Sequence, residues 1–589
     1  RTCNIYNCIS CTARVDGNGC AYFRKASGHA RNRGRDRKNC AEKQNEGEKI
    51  ETRGCKHLNK SRIHFMGIGG QGISAVAQMV LKASGDSVTV SGCDMQASAT
   101  TRELQHIGVP VEIGHSAEHV AEIDRLVVVP AALVLNPDHP ELATARSRGI
   151  PMITWQEMLG DLMQKKCVIS VSGVHGKGTT TAMLALMLVD AGWDPTCEVG
   201  AIVPRFGVNY RLGQSQYFVN EADEFYNNFW NYHPRLAVVT SIEFEHPEFF
   251  ADYEAFLASF EHFIRGMDMD GDWPLPPTLV INAHSAGCIE LLRRLKDWPG
   301  RVVMYGVEGF VAQKNINAAS KANKQANFEG EAVGPTNSVV TKNEVLSSNS
   351  GKQATFEAYD VKLEGETSFS VRSNWAEKFP DGTRIQLQFP GAHNVQNALA
   401  ALTVANVLGI DMETIVKTLE SFGGIRRRFE IRNQGPMQVK GRSLDVVLVD
   451  DYAHHPTAIA ATLEAAHERY PGRRLVAVYQ PHMFSRTKIF FTQFLSAFGL
   501  ADVAIIADIF PARERDTGLV SSRELVEAMA SGHNELGPYM REGGQVLHGG
   551  SVQETAQVLR SLLRSGDVVL VMGAGDIYTL TDIILNDEE

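Results

Sequence analysis

The chain predicts an α/β fold of three consecutive domains: a Rossmann-like first domain, a central P-loop ATPase domain and a Rossmann-like C-terminal domain. Three observations carry this. At 589 residues the chain is too long for one hydrophobic core. Two glycine-rich turns, at 67–72 and 173–178, each follow a short apolar run and open a helical stretch. From Ser61 onward, short buried-strand runs alternate with helix-length segments, the rhythm of parallel sheets.

Residues 1–60 stand apart. They hold fourteen Lys or Arg against six Asp or Glu, with few aliphatic residues and no apolar periodicity. This composition predicts a basic, disordered leader of the transit-peptide kind, placing the protein in a plastid (chloroplast stroma); a misread start would leave it cytoplasmic. Six of the ten cysteines fall there, and Cys8 and Cys11 form a C-x-x-C pair. No second pair stands at ligand spacing, so no metal site is expected. The four cysteines scattered through the rest of the chain suit a reducing compartment.

The first domain, 61–163, reads as a strand over 62–67, a helix through 75–81, a strand from 87–90 ending at Gly92-Cys93-Asp94, and a strand over 125–129. The central domain, 164–425, opens with a strand at 167–171 and a helix over 179–189 that stops before Gly192. Strands follow at 217–220, 236–240 and 279–281, with a helix at 253–265. A polar, low-complexity insertion spans 312–353; strands near 355–389 and a helix at 393–408 complete the domain. The C-terminal domain, 426–589, alternates strands at 446–449, 475–479, 503–507 and 568–571 with helices at 456–470 and 521–530.

The first turn, with Gly67, Gly69, Gly70 and Gly72, points backbone N–H groups and a helix N-terminus at a diphosphate, and Asp94 ends the next strand, where a carboxylate can hold a ribose hydroxyl. NAD and a UDP-sugar fit this turn equally. The second turn runs Ser172-Gly173-Val174-His175-Gly176-Lys177-Gly178-Thr179-Thr180-Thr181. Lys177 can neutralise β/γ-phosphate oxygens, and hydroxyls stand at the helix start for Mg²⁺. It departs from the usual Walker pattern, with Val171 at the first glycine position and Gly178 after the lysine. Glu221-Ala222-Asp223-Glu224 and Glu243-Phe244-Glu245-His246 each follow a strand, so both reach the C-terminal edge of a parallel sheet beside the phosphate turn. Carboxylates there can hold Mg²⁺ between ATP and a second substrate. Polar side chains open the helix at 391–397, three arginines precede Phe429, and histidine-rich loops follow strands at 450–456 and 480–487.

Together these residues resemble the Mur ligases over about 61–589, the insertion excepted. HFMGIGGQGIS, SGVHGKGTTT, EADEF followed by SIEFEHPEFF, DDYAHHPT and QPHMFSRT fall in family order, joined by GAHNVQNALAA and GAGDI. QPHMFSRT with DDYAHHPT is similar to the alanine-adding branch; the branch that reattaches a recovered tripeptide is the nearest alternative. The resemblance implies ATP and Mg²⁺ as cofactors and UDP-N-acetylmuramate and L-alanine as partners in peptidoglycan synthesis, joined through an acyl phosphate. It implies that 173–178 and Lys177 hold the ATP phosphates. Glu221 would ligate one Mg²⁺ and His246 a second; Asn394 and Asn397 would lie near adenine. Arg427, Arg428 and Asp451 would engage ATP. Tyr452, His454, His482 and Arg486 would face the muramate and alanine carboxylates, and the first turn with Asp94 would hold UDP. Lys177, His246, His454 and Arg486 are the residues expected to act in catalysis. Three positions depart from the family pattern. Gly178 stands where a Mg²⁺-binding threonine is usual, which moves that role to Thr179; Ser241 replaces an asparagine; and Met483 stands where some members have arginine.

The net charge of −10 argues against a nucleic-acid partner or binding to an anionic membrane surface. No apolar run reaches the ~18–20 residues that cross a bilayer. Two other readings accompany the ligase: a nucleotide-binding scaffold that has lost activity, and a nicotinamide oxidoreductase resting on the first turn alone.

Overall fold

The protein is described by a computed structural model, which covers residues 14–15, 21–22, 60–308, 354–375, 380–512, 514–534 and 537–586. The chain forms two compact units, 1–58 and 59–589. In the first, Arg14–Val15 pairs antiparallel with Ala21–Tyr22. The rest of the expected leader, its C-x-x-C pair and the insertion at 312–353 lie outside the described residues.

The first sheet of the second unit is five parallel strands in the order Val111–Ile113, Val88–Asp94, Ser61–Met66, Arg125–Val128, Met152–Thr154. Period-two alternation sends Ile63 and Phe65 into one apolar layer and Met66 into another, with Cys93, Leu126 and Val128. The helix expected over 75–81 spans Gln71–Ser84, because Gly70 is extended and the helix starts directly after the turn.

The central sheet has ten strands. Cys167–Ser172 lies between Tyr217–Glu221 and Leu236–Val239, all three parallel. This placement follows from their sequence: all three are buried through their middles and rich in Val, Ile, Leu, Ala and Phe, which suits a sheet covered on both faces. Two short strands missed in the sequence, Thr196–Glu198 and Tyr210–Arg211, extend one edge; Ala354–Lys362, Ser368–Ser373 and Thr383–Gln386 extend the other. At three and two residues, the first pair is too short to show periodicity. The helix expected from residue 179 begins at Lys177 and runs to Asp190, with Gly176 left-handed at φ +80° as its N-cap. Lys177 is therefore the first helical residue rather than part of the loop.

The third sheet runs Glu430–Val439, Arg442–Asp451, Val568–Met572, Leu475–Tyr479, Val503–Ala507, Gln545–Gly550; its first pair is antiparallel and the rest are parallel. Val568–Met572 sits between the strands that lead into the two histidine loops, so both loops and Gly573 emerge at one edge. Among the described residues no helix is long and apolar enough to cross a membrane.

Candidate active site

The phosphate turn is shaped by what packs against it. Gly173 and Gly176 have φ of +126° and +80°, and a Cβ on either would collide, with Thr240 Oγ1 and Asn397 Oδ1 respectively. The turn is then fastened to the next strand's end. Thr240 Oγ1 donates to the Ser172 carbonyl at 3.1 Å, Val174 N–H donates to the Ser241 carbonyl at 3.0 Å, and His175 N–H donates to Ser241 Oγ at 3.0 Å. Ser241 thus holds the turn through both its carbonyl and its hydroxyl.

Lys177 Nζ bonds Glu224 Oε2 at 2.8 Å and Oε1 at 3.1 Å. Burial opposes its charge, but Glu224, Asp223 and Glu221 outweigh that and raise its pKa, so the ammonium stays charged. Asp223, Glu224 and His246 bring ligand atoms within 4.8 Å of one another. Glu221 stands beside them, accepting Gly200 N–H at 2.8 Å. A Cβ on Gly178 would lie 3.0 Å from Glu221 Oε2, so glycine at that position leaves the carboxylate room. Of the three threonines that follow, Thr181 Oγ1 donates to the Lys177 carbonyl at 2.8 Å and Thr180 Oγ1 faces Asn397 at 3.5 Å. Among the described residues Thr179 makes no side-chain hydrogen bond. Buried Glu198, on the strand missed in the sequence, is pushed well above the usual carboxylate range by burial and by Glu221 and Asp223, which keeps it neutral.

The C-terminal loops close on the same edge. Glu243 pairs with His175 and accepts from Thr457 Oγ1 at 3.3 Å; Arg486 Nη2 lies 2.6 Å from Glu245 Oε1, and His455 Nε2 3.7 Å from Glu245 Oε2. The Arg486–Glu245 approach is a charge contact and not an aligned hydrogen bond, and Arg486 Nε has no partner among the described residues. Burial and Arg486 drive the His454 pKa well below its ordinary value, so its imidazole is neutral. The His454 and His482 rings lie 6.2 Å apart, with Tyr452 5.3 Å from His454.

Other expected residues have partners within the protein. Asp94 accepts Gly69 N–H at 2.8 Å and Gln96 N–H at 3.3 Å and so closes the first turn. Gly67 N–H bonds the Cys93 carbonyl, and Gly72 abuts Trp155. Asp451 accepts Phe429 and Ala453 N–H groups, both at 2.7 Å, and so organises the loop it begins. Asn394 Nδ2 donates to the Pro390 carbonyl at 2.7 Å, and Asn397 reaches Asn394 and the phosphate turn. Arg427 donates to the Gly573 carbonyl at 2.6 Å and stacks on Tyr452 and Tyr578; Arg428 also lies over Tyr452. Glu243, Glu245, His455 and Asp450 lay inside motifs visible in the sequence but had no assigned part. Nothing local in the sequence marks Glu198.

Three family profiles match: the Mur ligase catalytic domain over 62–167, the Mur ligase middle domain over 171–341, and the Mur ligase glutamate ligase domain over 435–575. A UDP-N-acetylmuramate–L-alanine ligase from Acetivibrio thermocellus is 35% identical over 533 residues, covering 90% of this chain and 96% of its own length. The chain belongs to the Mur ligase family. A ligase of the same name from Alkaliphilus metalliredigens is 34% identical, covering 89% of this Mur ligase and 97% of its own chain. Among solved structures, the UDP-N-acetylmuramate–alanine ligase of Thermotoga maritima shares the fold at a TM-score of 0.65 and 24% identity, covering 89% of this chain and 98% of its own. A murein peptide ligase from Psychrobacter arcticus does so at 0.61 and 23%, covering 90% and 100%.

Proposed function

We propose that this Mur ligase joins L-alanine to UDP-N-acetylmuramate at the expense of ATP, with residues 61–163 holding the UDP-sugar, 164–425 the ATP, and 426–589 the amino acid. The observation that carries the reading is the convergence of three loops at one sheet edge: the phosphate turn at Lys177, the acidic strand ends at 221–246, and the histidine loops that reach them through Arg486–Glu245.

The donor set suits Mg²⁺. Asp223, Glu224 and Glu221 offer oxygen ligands, His246 an imidazole and Thr179 an unengaged hydroxyl. Bound there, the ion would neutralise phosphate charge. Lys177 is placed to take the β/γ-phosphate oxygens in exchange for Glu224. The muramate carboxylate oxygen attacks the γ-phosphorus, ADP leaves, and an acyl phosphate forms. The alanine amine then attacks the carbonyl carbon, loses a proton, and inorganic phosphate departs. Neutral His454 is suited to accept that proton, and Arg486, whose Nε has no hydrogen-bond partner among the described residues, to hold a carboxylate. Catalysis here rests on positioning and charge neutralisation rather than a protein nucleophile.

ADP release is expected only when UDP-N-acetylmuramate and L-alanine are both present. Release with a tripeptide and not with alanine would move the protein to the peptide-reattaching branch, and no release with any amine would contradict the ligase reading. A plastid address rests on the basic composition of 1–60; import of a fluorescent fusion of those residues separates it from a cytoplasmic one.

A further inference from the structure

Four elements of the first domain bring metal-ligand side chains to one buried place. His64 comes from Ser61–Met66, Cys93 from Val88–Asp94, His119 from the 3₁₀ turn Ala117–Val120, and Glu141 from the helix Pro140–Ser147. One ligand atom from each lies within 4.8 Å of all the others. Tetrahedral zinc, bonded at about 2.0 Å to N and O and 2.3 Å to S, sets its ligands about 3.3–3.8 Å apart. The gathered atoms need only a small contraction to reach that spacing.

Two observations ask for a cation here. Glu141 is fully buried, and among the described residues it forms no ion pair with lysine or arginine. Its oxygens face the Cys93 sulfur at 3.3 and 3.4 Å, His119 Nδ1 at 2.8 Å and His115 Nδ1 at 3.3 Å. A buried carboxylate without a lysine or arginine partner is costly unless another positive charge accompanies it. His64 is 3% exposed, its Nε2 has no hydrogen-bond partner among the described residues, and its Nδ1 is held by Ser91 Oγ at 2.9 Å. An imidazole oriented through one nitrogen with the other left open is how proteins present a histidine to a metal.

We propose that the first domain carries a structural zinc site formed by His64 Nε2, the Cys93 sulfur, a His119 ring nitrogen and a Glu141 oxygen. One sulfur, two nitrogens and one oxygen suit zinc over magnesium or calcium, and four protein ligands leave no open position for chemistry. Binding forms four metal–ligand bonds and releases the Cys93 thiol proton to solvent. None of the four takes part in the proposed ligation. The Cys93 carbonyl accepts Gly67 and Ile68 N–H at 2.8 and 3.0 Å, so the ion would brace the strand end beneath the first glycine turn.

The test is cobalt titration of the metal-stripped full chain in excess Mg²⁺, which occupies oxygen-rich sites. The wild type is expected to gain a sulfur-to-cobalt charge-transfer band with tetrahedral visible bands, saturating at one equivalent for this site. Cys93→Ser is expected to lose that equivalent, while Cys8→Ser/Cys11→Ser keeps it. His119→Ala should weaken cobalt by about 10-fold or more even if Cys93→Ser folds poorly. No thiolate band in the wild type, or a band of undiminished stoichiometry in Cys93→Ser, overturns the site.

Discussion

Arg486 of the C-terminal domain and Glu245 of the central domain meet inside the protein at 2.6 Å, with 4% and 5% of their side chains exposed. This contact draws the loop QPHMFSRT onto the strand end that also fastens the phosphate turn. Burial alone would raise the Glu245 carboxyl, but Arg486 and His455 hold it well below the usual range. A depressed carboxyl contributes stability that is present above its unfolded pKa of about 4.3 and lost as pH falls toward the folded value. Glu245→Gln leaves the guanidinium buried without its partner, and is expected to destabilise by about 3–5 kcal/mol at pH 7. Denaturant midpoints measured from pH 7 to 3 should show wild type and variant converging at the acid end. Adding Arg486→Met should recover part of the loss at pH 7.

Lys177 is the cation that three carboxylates surround. Lys177→Met is expected to lower kcat/KM for ATP on the order of 10²–10³-fold, the scale of losing a charge-stabilising group in a dry site. Steady-state ADP release measures it; a loss below tenfold would mean that another group carries the phosphate charge.

Among the described residues the Thr179 hydroxyl is left unengaged where those of its neighbours are not. Thr180 and Thr181 turn theirs toward Asn397 and the Lys177 carbonyl, while Gly178 has none. Thr179→Val is expected to raise the Mg²⁺ concentration for half-maximal rate by about 10-fold, and Thr181→Val to leave it within about twofold. Equal Mg²⁺ dependence in the two variants would remove Thr179 from the metal's ligands.

Asp450 titrates in the opposite sense from Glu245. Burial, only partly offset by Arg427, pushes its carboxyl up to about 6. The native state then holds a proton that the unfolded chain releases, so stability falls as pH rises through roughly 4 to 6. Asp450→Asn is expected to be more stable than wild type above pH 6, by about 2–3 kcal/mol, and indistinguishable near pH 4. A melting series across that range reads the difference.

The parts of this molecule written in local sequence are legible from the sequence alone. The glycine turns, the strands before them and the acidic and histidine runs after other strands all depend on short-range pattern, and the parallel sheet brings strand ends together. What the pattern could not give is pairing between distant segments. SIEFEH showed two glutamates without saying that one meets His175 and the other Arg486. Glu198 sits on a three-residue strand that no periodicity announces, and His64, Cys93, His119 and Glu141 come from four elements. Asp94 and Asp451 carry a second feature that the pattern did not give: each accepts backbone N–H groups that close its own loop.

The most direct test of amide formation through an acyl phosphate uses UDP-N-acetylmuramate labelled with ¹⁸O in the muramate carboxylate, incubated with the full chain, ATP, Mg²⁺ and L-alanine. Mass spectrometry should find one new amide per ADP and one ¹⁸O in each inorganic phosphate, because the attacking carboxylate oxygen leaves with phosphorus. Unlabelled phosphate, or ADP formed without the amide, would contradict it.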